Sequence, residues 1–264
     1  MSDPVVILGA PGSPYSRKMR AAARYRRIPY HWAQRGSADD VDTPKVPVEL
    51  LPVVVLPESG DEPRAAYVDS TPILRRLEAR YPGRSVVPSD PALAFIDELL
   101  EDYGDEWLTK AMFHFRWAYQ ADIDKAAAIL PRWRLLSAPR EQIDKFSKGI
   151  AKRQIDRLWV VGSNETTGPV IEDSYLRFLE IFEAHLKNAP YCLGRRPASS
   201  DFALYGQLTQ LTAFDPTPMA LTLAHGPSVY AWVEIMEDLS GTRVDDDGWI
   251  NRDDVPDTLR ALLA

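Results

Sequence analysis

The chain has 264 residues, of which 45% are hydrophobic and 26% charged, a balance that is typical of a folded globular protein and excludes global disorder. Its formal net charge is -7, and a negative net charge argues against binding to the phosphate backbone of nucleic acid. No apolar stretch approaches the roughly 20 residues of a membrane span, and the first apolar run lacks the basic segment of a signal peptide. We therefore expect a cytoplasmic protein that binds neither nucleic acid nor a membrane.

The cysteine and histidine content bears on redox and metal chemistry. The single cysteine, Cys192, forms no internal disulfide, which fits a reducing compartment, and its apolar neighbours predict a buried side chain. The four histidines show no metal-ligand spacing, and the sequence lacks a phosphate-binding loop and a nucleophile elbow. We predict no metal site.

The first part of the chain predicts an α/β unit with the order β-α-β, loop, β-β-α. Short apolar runs predict strands at 5–8, 28–32, 52–56 and 65–68, and cap signals predict helices starting at Pro14 and near Ser70. The length of the first crossover implies a parallel pair of strands, whereas the last two strands are close enough to form a hairpin.

The remainder of the chain predicts an all-helical region. A stretch rich in proline and glycine at 82–91 predicts a linker, which divides the chain into domains at 1–81 and 92–264. Amphipathic patterns predict helices at about 92–120, 121–135, 140–160, 172–188, 200–213 and 228–239. After residue 240 we expect irregular structure, with Asp245–Asp247 solvated, and a short turn at 259–263.

The run Ser13-Pro14-Tyr15-Ser16 is the first candidate site. Ser13 reads as a helix cap and Pro14 as the first helical residue. A helix start favours an anion such as a thiolate, and a serine hydroxyl there can donate a hydrogen bond to it. Lys18 and Arg20 are expected to add positive charge. Taken alone, the motif favours a simple helix cap over a ligand site.

Two further motifs follow at the starts of later elements. Pro52 leads a strand out of a long loop, a place where a cis Leu51–Pro52 bond occurs, although Pro47 is a rival. Asp69 and Ser70 begin a helix, where the carboxylate can accept from an ammonium and the hydroxyl can bind a carboxylate. This pair is also compatible with plain capping.

The order of these three motifs, followed by a helical region, resembles the glutathione S-transferase family over nearly the whole chain. The resemblance is to serine- or cysteine-type bacterial members, and it implies a thioredoxin-like first domain and a helical-bundle second domain. One departure is Asp69 where the family has Glu or Gln. Another is Ala198, where the family's capping box in the second domain has Ser or Thr, so that Ser199 is a candidate cap with Asp201 reaching back.

The resemblance also implies roles for individual residues. Ser13 or Ser16 contacts the glutathione sulfur, the backbone of Leu51 before Pro52 pairs with the cysteinyl unit, and Asp69 with Ser70 holds the γ-glutamyl end. Tyr15 is placed in the glutathione site by its position in the motif, and Lys45 or Val46 is expected to reach the glycyl end.

The second substrate is expected in an aromatic cleft between the domains. Candidates to line it are Ala10, Pro11, Tyr103, Trp107 and His114, and aromatics at this spacing are alternatively core residues.

The predicted function is that of a glutathione transferase which conjugates glutathione, its co-substrate, to a hydrophobic electrophile, with a role in detoxification. The resemblance also implies a homodimer. Alternatives are a glutathione-dependent lyase, peroxidase or reductase, or a non-catalytic binding or structural protein, because fold does not imply function. A disulfide reductase is disfavoured, since Ser13 cannot form a mixed disulfide.

Overall fold

The computed structural model describes residues 3–244 and 248–264, so the prediction for Asp245–Asp247 lies outside the described residues. The first domain contains strands β1 to β4 at Val5–Leu8, Tyr30–Ala33, Val53–Leu56 and Ala65–Tyr67, with helix α1 at Pro14–Tyr25 and α2 at Ser70–Arg80. The sheet order is β2-β1-β3-β4. β1 and β2 are parallel and β3 and β4 antiparallel, which confirms the predicted thioredoxin-like unit.

Helices form the second part of the chain, as predicted. Helices α3 to α11 span Pro91–Asp102, Leu108–Ala118, Gln120–Arg134, Arg140–Ile155, Gly168–Leu186, Ser199–Leu211, Pro216–His225, Pro227–Met236 and Asp257–Leu262. The predicted linker at 82–91 follows the end of α2 and reaches the first residue of α3, Pro91. Within the described ranges, every helix is too short or too polar to span a bilayer.

The helix predicted at 92–120 is interrupted. A π-helical turn at Tyr103–Trp107 separates α3 from α4. The apolar period of the two α-helices is nearly continuous across this turn, which is why sequence periodicity did not separate them. Helix α9 was not predicted, because two prolines near its start resemble a loop signal.

The two domains share one apolar core. α1 and α2 lie on one face of the sheet, and α1 packs against α8 of the second domain. Tyr25 of α1 contacts Phe202 of α8, with ring centroids 5.8 Å apart. Cys192 is buried, as its sequence context predicted.

A buried ion pair crosses this domain interface. Lys18 of α1 is fully buried, and its Nζ lies 2.7 Å from Glu101 Oε1 and 2.5 Å from Asp105 Oδ2. The same Nζ lies 3.1 Å from Thr71 Oγ1 at the start of α2. Arg75 of α2 binds the second oxygen of Glu101 at 2.7 Å. One cation therefore fixes α1 and α2 against α3 and the π-helical turn.

Replacing Lys18 with methionine is expected to lower the free energy of unfolding by about 3–5 kcal/mol, because Glu101 and Asp105 are left buried without their main cation. Chemical denaturation measures the change. Lys152→Met is the control, since this exposed i,i+4 pair contributes at most about 0.5 kcal/mol. Adding Asp105→Asn to Lys18→Met should recover part of the loss. Equal stabilities of the two single variants would contradict this account of the interface.

Candidate functional site

Three chain segments from the first domain meet α3 and the π-helical turn at a cleft of about 440 Å³. Four residues predicted to bind glutathione line this cleft: Tyr15, Leu51, Asp69 and Ser70. The starts of α1 and α2 and the loop before β3 supply them. The fold therefore brings together residues that are up to 55 positions apart in the sequence.

The start of α1 has the geometry that its sequence predicts. Ser13 caps the helix, and its Oγ accepts from the Ser16 backbone N–H at 3.2 Å. The hydroxyl hydrogen of Ser13 has no acceptor among the described residues, so it remains free to donate. Ser16 is fully buried, and its Oγ lies 3.3 Å from the backbone N of Ala10, from which it accepts.

The loop before β3 contains the predicted cis bond. The Leu51–Pro52 peptide is cis, so Pro52 rather than Pro47 takes this role. Pro52 is buried beneath the loop, whereas Leu51 is half-buried and lines the cleft. Leu51 thus lies at the cleft wall, directly before the buried Pro52 that leads into β3.

Asp69 and Ser70 form the start of α2 at the other side of the cleft. Asp69 has a φ of +74°, which is uncommon for a residue with a side chain, and its Oδ1 accepts from Thr71 N at 3.3 Å. Ser70 is buried at the first helical position, where backbone N–H groups have no intrahelical partner. Asp69 thus acts as a cap and also exposes a carboxylate to the cleft.

The opposite wall is acidic. Glu98, Asp102 and Glu106 stand four residues apart along α3 and the π-helical turn and line the cleft; we call them the acidic wall. They have no cationic partner among the described residues, unlike Glu101 and Asp105 beneath them. This wall favours a positively charged group. The i,i+4 spacing of these three residues is visible in the sequence, but the family resemblance assigns no role to them, so they were not predicted as site residues.

The expectation that Lys18 and Arg20 add positive charge to the thiolate site is wrong. Lys18 points into the domain interface, where two carboxylates neutralise it. Arg20 pairs with Glu237 at 2.9 Å and stacks over Trp32 on the outer face of α1. Both side chains extend away from the helix start, so neither brings its charge to an anion there.

The β1–α1 loop is covered by the second domain. A Cβ at Gly12 would lie 2.6 Å from atoms of Leu130 and Trp133, which shows how closely α5 packs here. The carbonyl of Pro11 accepts from Arg17 at 3.0 Å. Ala10 lines a neighbouring pocket. Trp133 is therefore an aromatic residue beside this loop, and sequence reasoning missed it because a tertiary contact places it there.

The other predicted substrate residues lie away from the cleft lining. Tyr103 packs on Phe178, and burial raises the pKa of its hydroxyl to about 12. Trp107 is 59% exposed and lies beneath the Lys110 ammonium. His114 is buried, with Nδ1 2.8 Å from Ser163 Oγ and Nε2 3.0 Å from a Glu172 oxygen.

Lys45, which was predicted to reach the glycyl end of glutathione, lies outside both cavities, the main cleft and its neighbouring pocket. Its side chain is exposed.

The capping box at the start of α8 has one of its two usual hydrogen bonds, the one from the backbone N–H of the cap residue to the side chain of Asp201. Ala198 is the cap residue, and its N–H donates to Asp201 Oδ2 at 2.8 Å. Cys192 N–H donates to the other oxygen at 2.8 Å. Burial raises the pKa of Asp201 to about 7. Ser199 does not cap the helix. Its Oγ instead lies 2.6 Å from Asp97 Oδ2, to which it donates, and 2.9 Å from Glu101 Oε2, which ties α8 to α3 behind the acidic wall.

Comparison with known proteins identifies the first domain. Residues 7–85 match the family described as glutathione S-transferase, N-terminal domain. The first domain is therefore similar to the N-terminal domain of glutathione S-transferases. This match confirms the resemblance drawn from the motifs. No curated protein matches the chain in sequence.

Solved structures extend the likeness to the whole fold. A glutathione S-transferase from Methylobacterium radiotolerans, in complex with glutathione sulfonate, is 18% identical with a TM-score of 0.54 and covers 94% of this chain and 100% of its own. A Burkholderia graminis glutathione transferase with two glutathione molecules per subunit is 15% identical with a TM-score of 0.54, covering 98% and 87%. FzlA from C. crescentus is 16% identical with a TM-score of 0.52, covering 96% and 99%. At these identities the likeness shows a shared fold.

The carboxyl of Asp97 behind the cleft gives this glutathione S-transferase fold a pH-dependent stability. Burial raises its pKa from 3.8 to about 6, so between these values the folded state holds a proton that the unfolded chain has lost. Relative to Asp97→Asn, the wild-type free energy of unfolding should therefore fall by about 3 kcal/mol from pH 4 to pH 7. Denaturation at several pH values measures this difference. The same comparison with the exposed Asp173→Asn should be flat, and a flat Asp97→Asn difference would contradict the assignment.

Proposed function

We propose that the chain binds glutathione in the cleft, stabilises its thiolate at the start of α1 and conjugates it to a hydrophobic electrophile. The observation that carries the proposal is the lining of the cleft, where Leu51 lies between the start of α1 and the Asp69–Ser70 pair that begins α2. An extended tripeptide needs such a sequence of contacts. The family match of the first domain and the glutathione ligands of the related structures support the same proposal.

The charges of the cleft fit one orientation of glutathione. The γ-glutamyl end of glutathione carries both an ammonium and a carboxylate. Asp69 and the acidic wall offer carboxylates to the ammonium, and Ser70 and the free N–H groups of α2 offer donors to the carboxylate. The cysteinyl backbone then pairs with Leu51. This orientation directs the sulfur toward Ser13.

The thiolate of glutathione is its reactive form, so the protein must raise the fraction of bound glutathione that is ionised. A free thiol with a pKa of about 8.5 is about 3% ionised at pH 7. The start of α1 and a hydroxyl donor favour the ionised form, and binding both reactants adds proximity. Ser13 acts here as a donor that keeps its own proton. Ser16 is the weaker candidate because its side chain is fully buried, whereas Ser13 is only half-buried.

Ser13→Ala is expected to lower kcat/KM for 1-chloro-2,4-dinitrobenzene about 10- to 100-fold, because a hydrogen bond to a charged group contributes about 1.5–3 kcal/mol. The pH profile should also shift, since the pKa of bound glutathione rises without the donor. Spectrophotometric turnover measures both effects. Ser16→Ala is the matched control, with a small effect on the pKa of the thiol. Unchanged activity and pH profile in Ser13→Ala would contradict this role.

One observation favours a second candidate, a glutathione-binding protein without transferase activity. Leu130 and Trp133 cover the β1–α1 loop, where the electrophile was expected. Titration calorimetry and turnover together distinguish the two: glutathione binding without conjugation supports this second candidate. A lyase or peroxidase on the same fold requires the same bound thiolate. A reductase lacks support because the single cysteine is buried.

We also propose a cytoplasmic homodimer with a role in detoxification. Apolar side chains support the dimer: Val48 and Leu50 on the loop before β3, and Phe95 and Leu99 four residues apart on α3, are 40–61% exposed. Their exposure near the cleft fits burial against a second copy.

Phe95→Asp is expected to shift this dimer to the monomer in analytical ultracentrifugation, because a carboxylate would be buried in an apolar contact. Leu136→Asp, which changes an apolar side chain that is 83% exposed elsewhere, is the control. A monomeric wild-type protein would contradict the dimer.

A further inference from the structure

The second domain binds the backbone that leads to Ser13. Arg116 of α4 donates from Nη1 to the carbonyl of Gly12 at 3.3 Å. Gln210 of α8 donates from Nε2 to the carbonyl of Pro11 at 3.2 Å. We call Arg116 and Gln210 the loop clamp. Because Gly12 directly precedes Ser13, the loop clamp acts on the peptide group next to the proposed thiolate donor.

Buried partners fix the side chain of Arg116, which is only 4% exposed. Its Nε lies 3.0 Å from both oxygens of Asp215, and its Nη2 lies 2.8 Å from Asp215 Oδ2 and from Gln210 Oε1. The guanidinium also lies over the ring of Phe214, 4.9 Å from the ring centroid. Since Nε and Nη2 are occupied in this way, the planar guanidinium leaves Nη1 directed at the Gly12 carbonyl.

The same ion pair orients the side chain of Gln210. Arg116 Nη2 donates to Gln210 Oε1, so the amide nitrogen of Gln210 faces the carbonyl of Pro11. Arg17 of α1 reaches the Pro11 carbonyl independently, with its Nε at 3.0 Å. Loss of the Arg116–Asp215 pair would therefore weaken both contacts of the loop clamp.

The loop clamp fixes a peptide group that a glycine would otherwise leave free to turn. Glycine tolerates a wide range of backbone angles, and Gly12 gives this freedom to the residue before Ser13. Arg116 binds the carbonyl end of the trans Gly12–Ser13 peptide, and at its other end the Ser13 N–H donates to the carbonyl of Ala10 at 3.0 Å. With both ends held, this planar peptide sets the position of the Ser13 Cα atom and hence of the hydroxyl.

We propose that Arg116 is a positioning residue for Ser13, because it holds the Gly12 carbonyl so that the Ser13 hydroxyl reaches the sulfur of bound glutathione. The proposal rests on the proposed function, which assigns the thiolate to Ser13. Arg116 lies outside the residues that line the cleft, and Asp215 neutralises its charge, so Arg116 acts through the geometry of the loop.

Replacing the ion pair tests this role through the ionisation of bound glutathione. Arg116→Gln/Asp215→Asn removes both charges, so that Asp215 is not left buried without a cation. The pH midpoint of thiolate formation, measured by ultraviolet absorbance at saturating glutathione, should rise by about one unit, which is an about tenfold smaller thiolate fraction below the midpoint. Arg116→Lys keeps a cation but lacks the planar fork, and it should shift the midpoint in the same direction if the double variant does not fold.

Arg26→Gln/Glu78→Gln is the matched control for the loss of a buried ion pair. Arg26 follows the last residue of α1, at the opposite end from Ser13, and its Nε lies 3.1 Å from Glu78 Oε1. The control should keep the wild-type midpoint. An equal shift in this control would show a general effect of lost stability and would overturn the proposal.

The Ser13→Ala background separates positioning from a direct effect of charge. Because Arg116 acts through Ser13, Arg116→Gln/Asp215→Asn should give no further shift of the midpoint in this background. A further shift of the same size overturns the proposal, and so does a wild-type midpoint in Arg116→Gln/Asp215→Asn itself.

Failure of the proposed function gives a different result. If wild type binds no glutathione, or if Ser13→Ala leaves the midpoint unchanged, the thiolate role of Ser13 is wrong and the positioning role is overturned with it. If Ser13→Ala raises the midpoint and Arg116→Gln/Asp215→Asn does not, only the positioning role is wrong.

Discussion

A buried lysine determines how the two domains of this protein meet. Lys18 carries a charge into an interface from which water is excluded, and such a charge is tolerated only with close partners. Glu101 and Asp105 supply them from the second domain. Because both carboxylates lie on α3 and the adjoining π-helical turn, satisfying Lys18 also fixes the position of these elements against α1 and α2.

The cleft is a consequence of this constraint. The side of α3 that binds Lys18 and Arg75 is buried, and the adjacent side places Glu98, Asp102 and Glu106 opposite the start of α2. The same packing directs Lys18 away from the start of α1, where Arg17 and Arg116 instead bind the carbonyls of Pro11 and Gly12. The cleft thus presents carboxylates opposite the start of α2, and a ligand with an ammonium at this end fits that charge.

The sequence predicted those parts of the molecule that depend on local rules. The strands, the caps at Ser13 and Asp69, the parallel β1–β2 pair and the candidate cis bond at Pro52 follow from short-range patterns, and the resemblance favoured Pro52 over Pro47. The predicted role of Lys18 was wrong because the two carboxylates that bind it, Glu101 and Asp105, lie more than 80 residues away in the sequence. The π-helical turn, Trp133 and Arg116 were missed for the same reason: their roles depend on tertiary contacts that no local pattern encodes. The roles of Ser13, Lys45 and the aromatic residues in ligand binding stay predictions.

A crystal structure of the protein with bound glutathione tests the central claim most directly. The account predicts the γ-glutamyl end at Asp69 and Ser70, a pair of hydrogen bonds with the Leu51 backbone and the sulfur beside Ser13 Oγ. Glutathione bound elsewhere, or bound in the cleft with its sulfur away from Ser13, would contradict it.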